Sequence, residues 1–151
     1  FALLGKYSLS FDLMLFPSQL ADALDLAAAF PATQIILNHT GSPVDRDEAG
    51  MARWRDGMRA LAAAPNVAVK ISDLCAYDHN WTVDSFRPII LDTIEWFGVP
   101  RCMFASDLPV VALHGGAAQI YGAFKEIVGA FSTDEQRALF HDNAVKYYRL
   151  D

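Results

Sequence analysis

Residues 34–64 read QIILNHTGSPVDRDEAGMARWRDGMRALAAA, and Pro65 follows. The run Gln34–His39 is short, apolar and β-type, so it predicts a strand buried on both faces. Thr40–Asp47 holds Gly41 and Pro43 and reads as a loop. From about Glu48 to Ala64 apolar residues recur at helical spacing, and Pro65 ends the helix. The stretch is therefore one strand–loop–helix unit.

The same order recurs on either side. Upstream, Leu9–Phe16 (LSFDLMLF) predicts a strand that Pro17 stops. Ser18 can cap a helix over Gln19–Phe30, which Pro31 closes. Downstream, Val67–Ser72 (VAVKIS) predicts a strand, Asp73–Thr82 a loop, and Val83–Phe97 a helix ended by Gly98 and Pro100. Arg101–Ala105 (RCMFA) predicts a fourth strand, and a loop through Gly115 and Gly116 leads to a helix over about Ala117–Phe131. Ser132 or Thr133 caps a last helix, with Glu135 and Gln136 near its first turn. That helix carries Leu139, Phe140, Val145 and Tyr148 at helical spacing.

Strands alternating with helices predict an α/β fold with a parallel sheet and right-handed crossovers. Two architectures fit four such units: a small doubly wound sheet, or half of an eight-stranded TIM (β/α)8 barrel. A doubly wound dinucleotide-binding sheet would place a G-x-G-x-x-G loop after its first strand; here that strand runs into Phe16-Pro17-Ser18. The chain opens at Phe1 without Met and leads within a dozen residues into a strand, so it reads as cut from something longer.

Composition narrows the function. The chain has 151 residues, enough for one domain, and 53% are hydrophobic against 20% charged, enough for a packed core. The net charge of −6 and scattered basic residues argue against a nucleic-acid partner. No apolar run reaches the roughly 18–20 residues of a membrane span, and no signal peptide is evident. Cys75 and Cys102 form no C-x-x-C pair and read as reduced core thiols of a cytoplasmic protein.

Polar residues at or beyond strand C-termini are the candidates for chemistry, because both α/β architectures place their sites there. His39 ends the second strand, where an imidazole can bind a metal or polarise a carbonyl, or simply satisfy a turn carbonyl. Asp107 follows the fourth strand, where a carboxylate can take a proton from water or ligate a metal. With Pro109 two residues on, it reads equally as an N-cap or an Asx-turn. Lys70 and Ser72 lie on the third strand and Asp12 on the first; a buried Lys70 must find an anion or carry its head to water at the rim. The loop Leu74–Trp81 (LCAYDHNW), with His79, and the later His114 can line a polar substrate pocket. His141, in the last helix, reads as structural.

Leu37-Asn38-His39-Thr40-Gly41-Ser42-Pro43 resembles the L-D-H-x-G-x-P segment of the amidohydrolase-2 family, which includes sugar lactonases and pyrone-dicarboxylate lactonases. Val69-Lys70-Ile71-Ser72 is similar to its V-K-x-S strand, and Met103–Val110 to its M-F-G-S-D-W-P-V. Leu9–Leu13 resembles its L-S-F-D-L strand, and Asp142–Leu150 its D-N-A…Y-R-L ending. Complete members are barrels of about 250 residues or more, so the resemblance implies the C-terminal half of a barrel, strands five to eight. It implies a lactonase-like hydrolase acting on a small molecule through water attack on a carbonyl. Asp107 would be catalytic and would activate water; His39 would be catalytic and polarise the carbonyl; both would serve as ligands of one divalent metal, zinc or manganese. Lys70 would sit at the mouth and contact substrate; Asp12, His79 and His114 join it as substrate-binding candidates by their positions alone. Asn38, Ala105 and Leu108 stand where the family has Asp, Gly and Trp, and no histidine ends the first strand, which counts against a binuclear centre. A half-barrel also exposes edges that invite pairing. The expected partner is therefore a missing N-terminal half or a second copy, and a non-catalytic assembly module is the alternative function.

Overall fold

Four short parallel strands, β1 (Ser10–Leu13), β2 (Gln34–Leu37), β3 (Val67–Ile71) and β4 (Cys102–Phe104), lie side by side in chain order in the computed structural model, which describes residues 1–150. Each pairs only with its sequential neighbours, with Phe11 opposite Ile35, Ile35 opposite Val67, and Val69 opposite Cys102. This order settles the choice left by the sequence. A doubly wound sheet reverses direction at a switch point, whereas a barrel adds each strand beside the last.

The helices that return the chain are α2 (Leu20–Ala29), α3 (Glu48–Ala62), α5 (Val83–Phe97) and α6 (Ala117–Ile127). Ile35, Leu37, Val67, Val69, Ile71, Cys102 and Phe104 face them and form the main core with Trp54, Met58, Phe86, Ile90 and Phe124. Where α2 and α3 meet, a Cβ on Gly57 would lie 2.6 Å from Leu20 Cδ1, so glycine permits the approach. Asp47 caps α3, its Oδ1 accepting from Gly50 N at 2.7 Å; Thr82 and Ser85 cap α5 reciprocally.

The other face of the sheet carries Asp12, Ile36, Ala68, Lys70 and Met103, by strand alternation. The end of the chain covers it. Ile36, Ala68 and Met103 pack with Tyr147, Ala144 and Tyr148 in a second, smaller cluster. The last helix therefore differs from the continuous one expected. It is divided into α7 (Thr133–Arg137), a π-helical turn over Ala138–Asp142, and α8 (Asn143–Tyr148). Leu139 and Phe140 pack with the helix-side core, while Tyr147 packs on the opposite face. The wide turn lets one segment pass around the end of the sheet.

Three further differences are local. A short helix α1 (Ala2–Lys6) precedes β1. The strand expected over Leu9–Phe16 pairs only over Ser10–Leu13, because the chain then leaves the sheet toward Pro17. The loop Asp73–Thr82 contains the short helix α4 (Leu74–Tyr77). No helix among the described residues is long and apolar enough to cross a membrane.

Candidate active site

Beyond Leu37 the chain turns sharply. His39, Thr40, Gly41 and Ser42 all take left-handed backbone conformations, with φ of 53°, 55°, 67° and 50°. Outside glycine such positions cost about 1–3 kcal/mol each and persist only where the surroundings enforce them. The enforcement is visible: Trp54 Nε1 donates to Thr40 O at 2.8 Å, and Ser42 N to His39 O at 2.8 Å. A Cβ on Gly41 would lie 2.9 Å from Met58 Sδ. The turn delivers the His39 ring to the mouth of the sheet, where only 9% of the residue is exposed. Its Nδ1 is hydrogen-bonded to Ser72 Oγ at 2.9 Å. Nε2 is thereby left facing Asp107 Oδ1, 4.0 Å away.

Asp107, after β4, and Asp73, after β3, repeat the left-handed backbone, each with φ of 56°. Asp73 is 7% exposed, and its Oδ1 has no hydrogen-bond partner. It stands at the N-cap position of α4 but makes no capping bond. One donor atom each from His39, Asp73 and Asp107 lies within 4.8 Å of the others. Three strand ends thus bring an imidazole and two carboxyl groups to one point.

Burial sets the ionisation here. It lowers the His39 pKa, and Lys70 lowers it further, against the opposing pull of Asp107 and Asp12; the ring is therefore neutral at pH 7. At 4.0 Å it is a potential ligand or donor beside Asp107 rather than the cation of an ion pair. Asp73 is pushed up to about 6, first by burial and then by the neighbouring carboxylate of Asp107.

The other residues expected at the site fall into two groups. Lys70 Nζ lies 3.1 Å from Asp12 Oδ2, and Tyr148 Oη donates to Asp12 at 2.8 and 3.0 Å to its two oxygens. Lys70 Nζ also stands 5.2 Å from the Tyr148 ring centroid. Lys70 and Asp12 therefore satisfy one another on the inner face beneath His39, in a contact with the last helix that the sequence did not show. His79 and His114 stack, rings 3.9 Å apart, and Trp81 Nε1 donates to His114 O at 3.0 Å. His79 lines an open pocket with Val44, Arg46, Tyr77 and Asn80, where Arg46 pairs with Asp78 at 3.1 Å. His141 is exposed and bonds Asp142 at 2.8 Å, outside this group.

Asp73 is the member that sequence reading passed over. The available signal was positional: like Asp107, it directly follows a buried strand.

A parallel sheet in chain order, helices on one face and a polar mouth at the strand C-termini define one part of a β/α barrel. Residues 1–150 match the amidohydrolase family model, and the chain belongs to that family. It is 48% identical over 147 residues to the uncharacterised protein y4mH of Sinorhizobium fredii, covering 97% of this chain and 49% of that one. It is 32% identical to an L-fucono-1,5-lactonase of Burkholderia multivorans, covering 93% of this chain and 51% of the lactonase. The chain thus spans about half the length of the curated relatives it matches. Two crystal structures of a Burkholderia multivorans amidohydrolase superpose with a TM-score of 0.93 over 99% of this chain and 56% of theirs. They are 29% and 28% identical to it; the first holds HEPES and the second zinc.

Proposed function

We propose that this chain is the second half of a barrel hydrolase that opens a cyclic ester, of the sugar-lactone class, by water attack on the ring carbonyl. The observation that carries this reading is the convergence of a buried, neutral His39 and Asp107 from the C-terminal ends of β2 and β4, on either side of β3. The lactonase relatives support the substrate class.

Asp107 takes the proton of the attacking water as the new carbon–oxygen bond forms. It returns that proton to the ring oxygen as the ester bond breaks, so lactone and water give a hydroxy acid. His39 has two usable states. With Nδ1 accepting from Ser72, Nε2 carries a hydrogen that can bond the developing oxyanion; with Nδ1 donating to Ser72, Nε2 offers a lone pair.

The residues also fit a divalent metal. His39 Nε2 and Asp107 Oδ1 are nitrogen and oxygen donors of the kinds that bind zinc or manganese, and the Ser72 bond orients the imidazole. A bound ion there would polarise the carbonyl and acidify water. Lys70 and Asp12, on the inner face below, would meet the polar groups of the sugar ring, and His79 and His114 would line the outer part of the pocket. Beside β1, exposed Leu9, Met14 and Phe16 would be covered by the first half of a barrel, from the same chain or a second copy.

The test is hydrolysis of sugar δ-lactones by the intact protein that carries this chain, followed by proton release, with and without a chelator. Turnover lost in Asp107→Asn with the fold retained is the expected result. A folded protein that leaves every lactone untouched, with and without added zinc or manganese, would overturn the reading.

A further inference from the structure

We propose that Asp73 is a third protein ligand of the divalent cation, beside His39 and Asp107. The proposal rests on the metal reading above and extends it to a residue at a different strand end.

Four observations converge on Asp73. The residue is more than nine-tenths buried, and its Oδ1 is buried without a partner. Burying a carboxylate unpaired is costly, so such a group needs a cation or a donor. The structural role open to it is not taken, because Asp73 occupies the N-cap of α4 without accepting a capping bond. Its backbone is held at φ 56°, a strained setting of the same kind as at His39 and Asp107, and the three donor atoms stand within 4.8 Å of one another.

Charge is the fourth observation. Among the described residues no lysine or arginine forms an ion pair with Asp73 or Asp107, and the nearest basic group on the inner face, Lys70, is engaged by Asp12. Two carboxyl groups thus meet with no basic side chain paired to either, an arrangement that one divalent ion would satisfy. The donors are also chemically suited to it. Imidazole nitrogen and carboxylate oxygen together favour zinc or manganese. Ligands of one such ion stand roughly 3–4 Å apart, so a set spanning 4.8 Å needs only a small inward turn of side chains already aimed at a common point.

The experiment is titration of manganese(II) into the intact, metal-stripped protein, read by the loss of the free-ion paramagnetic resonance signal. The wild type should bind one ion per chain. Asp73→Asn keeps the size and tolerates the left-handed backbone; it should weaken binding at least tenfold while the circular dichroism spectrum is unchanged. Asp73→Gly, which takes that backbone freely, should do the same and keeps the test available if the asparagine variant does not fold. Wild-type affinity in both Asp73 variants, with binding lost in Asp107→Asn, would overturn the role of Asp73 and leave the metal reading standing. A wild type that binds neither manganese nor zinc would overturn both.

Discussion

The two ends of the sheet are built on opposite terms. At the end where strands begin, buried polar groups are satisfied. Asn66 Nδ2 reaches the carbonyls of Ala27, Phe30 and Thr33 at 3.1, 3.2 and 3.1 Å. Arg101 donates to Ala62, Ala64 and Phe97 carbonyls at 2.9, 2.9 and 2.8 Å, closing the ends of α3 and α5. Asn143 Nδ2 donates to Val99 and Cys102 carbonyls, both at 2.7 Å. At the end where strands finish, buried Asn38 Oδ1, Thr40 Oγ1, Arg46 Nη1 and Asp73 Oδ1 have no partner. His39, Thr40, Ser42, Asp73 and Asp107 are also in left-handed conformations there. Satisfied polar contacts gather at the first end; unsatisfied polar groups and most of the left-handed strain, with Ser8 and Arg149 the exceptions, are held at the second. Such strain persists when the rest of the fold over-determines it.

The sharpest test of this division is Asp107→Asn in the intact protein. The lactone hydrolysis proposed above should fall by about a thousandfold, roughly 4 kcal/mol in barrier, with little change in melting temperature. A comparable loss of stability would show that the mouth also carries the fold. The converse substitution, Asn143→Ala, removes two buried hydrogen bonds and leaves carbonyls unpaired. It should cost about 2–3 kcal/mol in denaturant unfolding and leave manganese affinity unchanged.

Asp73→Asn in chelator should have the opposite sign and stabilise. A carboxyl group held near 6 in the fold, against an ordinary 3.8, favours folding fully below pH 4, and that contribution is lost as pH rises through 6. The metal-free wild type should therefore trail Asp73→Asn by about 1–2 kcal/mol at pH 7 and match it near pH 4, as urea midpoints at the two pH values would show. Equal midpoints at pH 7 would mean that Asp73 is not strained electrostatically. The smallest effect belongs to Lys70→Met. Its pairing with the partly exposed Asp12 should be worth about 0.5–1 kcal/mol, and a larger loss would extend the stabilising region up the inner face.

The strand–helix order was legible because buried parallel strands and amphipathic helices leave different periodicities, as in β2 (Gln34–Leu37) and α3 (Glu48–Ala62), each two residues shorter than the sequence suggested. His39 and Asp107 were legible as candidates because each follows an apolar run. What they meet was not. The Lys70–Asp12 pair joins neighbours across β2, and Tyr148 reaches Asp12 from 136 residues away. Asp73 beside Ser72 has the local look of an ordinary turn, and only the spatial meeting of three strand ends distinguishes it. The divided last helix was likewise hidden, since Leu139, Phe140, Val145 and Tyr148 fit one helical stripe although they serve opposite faces of the sheet.

The final segment acts on the sheet as a string acts on a bow. Asn143 is tied to Cys102 in β4, while Ser10 in β1 donates to Tyr147 O at 3.3 Å and accepts from Arg149 Nη2 at 3.0 Å. One short span thus joins the outermost strands and sets how far apart they stand. During synthesis those ties cannot form until residue 149 has left the ribosome, so the sheet's curvature, and with it the spacing of the three strand ends, is fixed late. A nascent chain paused before α8 would hold its strands without their final spread, with Ile36, Ala68 and Met103 left uncovered.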